Sequence, residues 1–182
     1  MRWYQSITQL SQWITRSPAL RLAGAAVLVS TASCKPEDAL PGTALGSFAV
    51  TAVLSTNSCG SGLDSSNPWK FDAELSLYGN TLYFRGNDDE AVSAPLDSEN
   101  TATCTSVVNA QSSADSACTL SLKTIYKIKL DSATAPKTSS GSFRFEHSAL
   151  ASNKCAGELS ENGGIYDELP CAVEYSYTAL KK

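Results

Sequence analysis

From Gly46 onward, apolar and polar residues alternate with a period of two, the pattern of strands with one buried and one wet face. In Trp69-Lys-Phe-Asp-Ala-Glu-Leu-Ser-Leu77, five apolar positions alternate with Lys70, Asp72, Glu74 and Ser76. This run meets Thr81–Arg85 through Gly79-Asn80, a two-residue connection that predicts a tight hairpin. Phe48, Val50, Ala52 and Leu54 share a phase, as do Cys118, Leu120, Leu122, Tyr126, Ile128 and Leu130. The second of these runs is long enough to require a bend or a bulge in a twisted sheet. Phe143 and Phe145 alternate with Arg144 and Glu146, and Cys171, Val173, Tyr175 and Tyr177 alternate with polar residues. Val92, Ala94 and Leu96 predict a short strand that Pro95 confines to an edge or an end.

No window after residue 45 carries the i, i+3, i+4, i+7 stripe and caps of a helix. Six to nine strands joined by Gly, Asn, Ser and Asp turns predict an antiparallel all-β domain over residues 46–182. Sequential hairpins favour a meander closed as an up-and-down, lipocalin-like barrel, with a two-sheet β-sandwich as the alternative. A transmembrane barrel is excluded, because lipid would penalise the outward Lys70, Asp72, Glu74, Lys123, Lys127 and Lys129.

Residues 1–33 form a different kind of chain. They hold Arg2, Arg16 and Arg21 and no Asp or Glu, then the apolar run Leu22–Ser33, in the order of a secretory signal peptide. That run is shorter than the roughly twenty apolar residues of a membrane span. Thr31-Ala32-Ser33-Cys34 resembles the cleavage motif of bacterial lipoproteins, with Thr31 where Leu is usual. The resemblance covers the export signal only. It implies that Cys34 is acylated, becomes the mature N-terminus and anchors the protein to a bacterial membrane. Lys35 is not the Asp used for inner-membrane retention, which points to the outer membrane, facing the periplasm or the surface. The competing expectation is secretion, with cleavage near Ala32 and Cys34 left for a disulfide. Residues 34–45, with two prolines and a glycine, are expected to form a tether.

Removing residues 1–33 leaves one domain's worth of chain. It removes three of the 14 Lys and Arg and none of the 18 Asp and Glu, taking the net charge from −4 to about −7. This acidic balance excludes a nucleic-acid-binding surface. In an exported chain the remaining cysteines are disulfide candidates. Cys104 with Cys118, and Cys155 with Cys171, flank turn-like stretches and are expected to pair, which leaves Cys59 over, either free, or paired with Cys34 where that residue carries no lipid, or displacing one of these pairs.

His147 shares the inward phase of Phe143 and Phe145, where it is either a general base or ligand inside the barrel or, as expected, a strand-end histidine satisfied by a backbone carbonyl. Asp88, Asp89 and Glu90 follow Gly86-Asn87 and supply calcium-type oxygens, but without the spacing that wraps a loop around the ion, so a solvated turn is expected and no metal is assigned. Glu158, Glu161, Asp167 and Glu168 suit a wet loop. Neither a G-x-S-x-G elbow nor a cofactor motif is present. The expectation is therefore not an enzyme but a lipid-anchored envelope protein acting as a binding or structural module, with an envelope protein as partner. A lipocalin-like carrier of a small apolar ligand is the alternative, and a secreted hydrolase the third reading.

Overall fold

The computed structural model describes residues 39–63, 67–86, 90–112, 117–150 and 155–182. The lipoprotein-type motif, Asp88 and Asp89 lie outside these residues. Eight antiparallel strands form one sheet: β1 (Thr43–Asn57), β2 (Trp69–Tyr78), β3 (Thr81–Gly86), β4 (Val92–Pro95), β5 (Thr101–Gln111), β6 (Thr119–Leu130), β7 (Thr138–Ala149) and β8 (Cys171–Lys181). Their order is β4-β3-β2-β1-β8-β7-β6-β5, so every neighbouring pair except β1–β8 is a sequential hairpin. First and last strands pair, and the sheet curls into a nearly closed barrel with its seam between β4 and β5. The domain is all-β, an up-and-down meander in one sheet and not a two-sheet sandwich.

The period-two pattern places the predicted faces with one exception, Ser76 of β2, which stands on the expected wet face but is buried, its hydroxyl donating to the Pro41 carbonyl. Phe48, Val50 and Ala52 of β1, Ala73 and Leu75 of β2, and Ile128 and Leu130 of β6 are buried. The β2–β3 turn has Tyr78 opposite Thr81, and Gly79 takes a left-handed φ of 60° that few side chains accept. Short β4 lies at one end of the sheet order, as Pro95 requires.

Two expectations need correction, and one strand falls outside the predicted runs. The bulges fall in β1, between Ala44 and Gly46 and between Leu54 and Thr56, whereas β6 keeps an unbroken register with both neighbours. β1 pairs with β2 over Thr43–Ala52 and with β8 over Phe48–Asn57, and one bulge lies on each side of the Phe48–Ala52 stretch that has both partners, where the strand passes from one neighbour to the other. It also begins at Thr43, so residues 43–45 belong to the strand and Leu45 is a core residue, not tether. Finally, β5 carries little hydrophobic alternation: only Ala102 and Cys104 of its eleven residues are buried.

Aromatic rings fill the interior at mid-height. The Phe143 ring stacks on Tyr177 at 4.4 Å and lies 5.8 Å from Phe71 and from Tyr126, and 6.0 Å from Phe84. Trp69 packs against Phe71, Phe145 and Tyr175. Gly141 lets the Tyr177 ring lie across β7: a Cβ there would stand 3.1 Å from that ring and would collide with the Lys127 carbonyl oxygen. Tyr177 Oη then reaches Ser139 Oγ at 3.1 Å. Edge and stacked ring contacts of this kind add to simple area burial.

Candidate functional site

Alternating strand direction gives the barrel two unlike ends. At the foot, the chain enters β1, and the connections are Gly79-Asn80, residues 96–100 and residues 131–137. At the head lie the other four connections, 58–68, 87–91, 112–118 and 150–170, of which the first and last are the longest in the domain. Both disulfides are at the head.

Cys59 bonds Cys171, and Cys118 bonds Cys155. Both expected pairings are therefore corrected, and Cys104, not Cys59, is the free thiol. Ladder register explains the difference. Cys104 stands opposite Tyr126, and Cys118 falls beside Ser112, whose N–H bonds the Cys118 carbonyl. Cys171 stands opposite His147, which leaves Cys155 out on the β7–β8 connection. Cys59 continues the β1–β8 ladder past Asn57↔Val173, which places it across from Cys171 at a Cα separation of 4.9 Å. Cys104 points into the barrel, 2% exposed, and burial pushes its thiol up to about 11.

Residues 155–170 fold across the head through two 3-10 turns, Ala156–Glu158 and Ser160–Asn162. Gly163 closes the second turn with a left-handed φ of 85°. Tyr166 is fully buried beneath this segment. Its N–H bonds the Glu158 carbonyl at 3.1 Å, its carbonyl accepts from Ser160 N–H at 2.7 Å, and Asp167 N–H bonds the Cys59 carbonyl at 2.9 Å. The phenol oxygen lies 3.1 Å from Nδ1 of His147.

His147 is thus a strand-end histidine, but its partner is a phenol and not the expected backbone carbonyl. Burial pulls its pKa down to about 4, so the imidazole is neutral at physiological pH. Burial, reinforced by the nearby Glu158 charge, raises the Tyr166 phenol well above its ordinary value. Both groups are neutral, and each would cost more to charge than in water. Glu158 corrects the wet-loop expectation: it is 6% exposed and its Oε1 accepts a hydrogen bond from Ser112 Oγ. The resulting pairs, Ser112–Glu158 and His147–Tyr166, join the cap to the ends of β5 and β7. Sequence reasoning missed Ser112 and the role of Tyr166, because neither lies on a periodic segment. Glu161, Asp167 and Glu168 stay toward solvent, and exposed Glu90 resumes the described chain after residue 89. Among the described residues, no three His, Cys, Asp or Glu side chains converge as a metal site.

On the outer wall below the head is an open groove of about 430 Å³, lined by Val107, Lys123, Arg144, Glu146, His147 and Pro170 among others. Its charges are mutually compensated. Lys123 Nζ lies 3.1 Å from Glu146, and Arg144 reaches Glu146 at 2.9 Å and Glu174 at 3.2 Å. Donation from Arg144 and then from Lys123 holds the Glu146 carboxyl below the usual range. Val107 and Val108 on β5 and Leu150 after β7 add exposed apolar surface. A surface of this kind, part apolar with oriented charge pairs, suits contact with a polypeptide more than capture of a small molecule.

Comparison with protein-family models, with curated proteins and with solved structures returned no match. The two disulfides fit an oxidising compartment reached by export.

Proposed function

We propose that the chain is an exported bacterial envelope protein, anchored by lipid at Cys34, whose barrel is a binding module that presents its disulfide-braced head away from the membrane. One observation carries this reading: the N-terminal chain enters at the foot, and both disulfides and the two longest connections, 58–68 and 150–170, lie at the opposite end. A short tether from Cys34 therefore holds the foot toward the membrane. Loops locked by disulfides and buried polar pairs lose little entropy on engaging a partner.

Cysteine accounting supports lipidation over secretion with a third disulfide. Four cysteines are already paired, and the fifth, Cys104, faces the barrel interior, where a bond to Cys34 would require opening the wall. The aromatic packing around Phe143 occupies the volume that a lipocalin-like carrier would reserve for its ligand, which weighs against that alternative.

Photo-crosslinking in the intact envelope tests the proposal. A crosslinking residue at Glu161 in the head is expected to give a discrete protein adduct that one at Glu99 in the foot does not. Protein adducts of equal yield from both ends, or from the foot alone, would contradict it.

A further inference from the structure

The outer wall of β5–β8 is divided into two electrostatic halves. Toward the head, each cation has a carboxylate one strand away: Lys123 and Arg144 share Glu146, and Arg144 also holds Glu174. Toward the foot, the cations have hydroxyls instead. Lys127 stands between Thr103 and Ser142, and Lys129 between Thr101 and Ser140. β8 and β1 continue these two rungs with Ser176 and Val53, and with Thr178 and Thr51. No carboxylate interrupts either rung across five strands. Both lysines are exposed.

This half-wall is unusual in a chain of net charge −4, which has carboxylates to spare. The acids at the foot sit in the turns below the wall and not on its rungs: Asp131 accepts from the N–H groups of Lys137 and Thr138, Asp97 from those of Glu99 and Thr101, and Glu99 is exposed in the same turn as Asp97. Exposed Lys137 adds a third cation below Lys129, and its carbonyl is bonded by the N–H of Lys181. The cations and the entry of the N-terminal chain thus share one end of the barrel.

We infer that the foot half of the β5–β8 wall lies against the anionic phospholipid surface of the anchoring membrane, with Lys127, Lys129 and Lys137 meeting headgroup phosphates and the Ser and Thr rungs supplying neutral hydrogen-bonding groups between them. The inference rests on the proposed membrane anchor for its orientation. Juxtamembrane lysines draw a surface toward anionic lipid, an attraction confined to about a Debye length. A wall held there by a short tether stays within that range, and the acidic head is kept away from the like-charged leaflet.

The test uses the full chain carrying Cys34→Ala, so that no acyl chain contributes, and measures cosedimentation with vesicles of phosphatidylglycerol and phosphatidylethanolamine against vesicles of phosphatidylcholine. Binding is expected to the anionic vesicles only and to be released by salt. The double variant Lys127→Gln, Lys129→Gln is expected to lower the partition coefficient about 25-fold, from the usual contribution of a lysine near an anionic surface. Lys70→Gln, on the β2 wall, should leave it unchanged. Retained protection of Cys104 from a thiol reagent shows that each variant is folded. Binding to phosphatidylcholine as strong as to phosphatidylglycerol, or a double variant that binds like the parent, would overturn the inference. So would release by inorganic phosphate at matched ionic strength, which would mark a discrete phosphate site and not a headgroup plane. The acylation state of Cys34, read separately by mass, decides the anchor whatever the vesicles show.

Discussion

Cys59 and Cys171 face each other beyond the regular β1–β8 ladder, and their disulfide, 112 residues apart in sequence, covalently braces the pairing of the first and last strands at the head. Cys118–Cys155 spans only 37 residues and fastens the cap to the start of β6. In the chain-entropy description, stabilisation grows with the logarithm of loop length, so the longer bridge should contribute about 1 kcal/mol more than the shorter one. The variant Cys59→Ala, Cys171→Ala is expected to lose roughly 3–5 kcal/mol in urea unfolding, and the variant Cys118→Ala, Cys155→Ala correspondingly less. Equal losses would mean that native-state packing, not loop closure, sets the effect.

The Cys104 thiol should be silent in the folded protein. It is buried beside the Tyr126 rung and its pKa is raised to about 11, so neither access nor thiolate is available at neutral pH. One labelled cysteine is expected after unfolding without reductant, apart from Cys34 if that residue is not acylated, and none at Cys104 before. Peptide mapping of the labelled protein reads this directly.

His147 makes stability depend on pH in a defined direction. Its folded pKa of about 4 lies below the unfolded value of 6.5, so between these limits the unfolded chain binds more protons. Stability is complete above pH 6.5 and falls as the pH drops toward 4, by about 2–3 kcal/mol for a shift of this size. His147→Gln keeps a polar partner for Tyr166 but removes the titration. Its unfolding free energy should vary less across this window than that of the parent, and identical pH profiles would contradict the assignment.

Gly141→Ala probes the interior without touching an interface. The added methyl meets the Lys127 carbonyl and the Tyr177 ring, so β7 or Tyr177 must shift and the stack on Phe143 loosens. A loss of about 2–4 kcal/mol is expected by urea unfolding, in the range of overpacked or disrupted cores. A neutral effect would show that the Tyr177 ring is free to move aside.

Much of the barrel was legible because its inward residues are large. Trp69 to Leu77 and Cys118 to Leu130 carry their faces in their alternation, and Gly79-Asn80 marks its own turn. β5 was not, because its two buried residues, Ala102 and Cys104, are small and its two large apolar residues, Val107 and Val108, are adjacent and both exposed. Disulfide pairing was misread for a related reason. Symmetry about a turn pairs cysteines that are near in sequence, whereas the Cys59–Cys171 contact exists only because the first strand meets the last. Glu158 looked like surface, since nothing local to it announces the Ser112 hydroxyl that accompanies it into the cap.

The central claim is an anchored barrel whose covalent bracing lies at the end remote from the anchor. Intact-mass and peptide-map mass spectrometry of the mature protein, purified from a bacterial membrane fraction without reductant, tests it most directly. The account predicts an N-terminal Cys34 carrying acyl chains, the bridges Cys59–Cys171 and Cys118–Cys155, and a single thiol at Cys104. An unmodified N-terminus near Ala32, with Cys34 joined to another cysteine in a third disulfide, would contradict it.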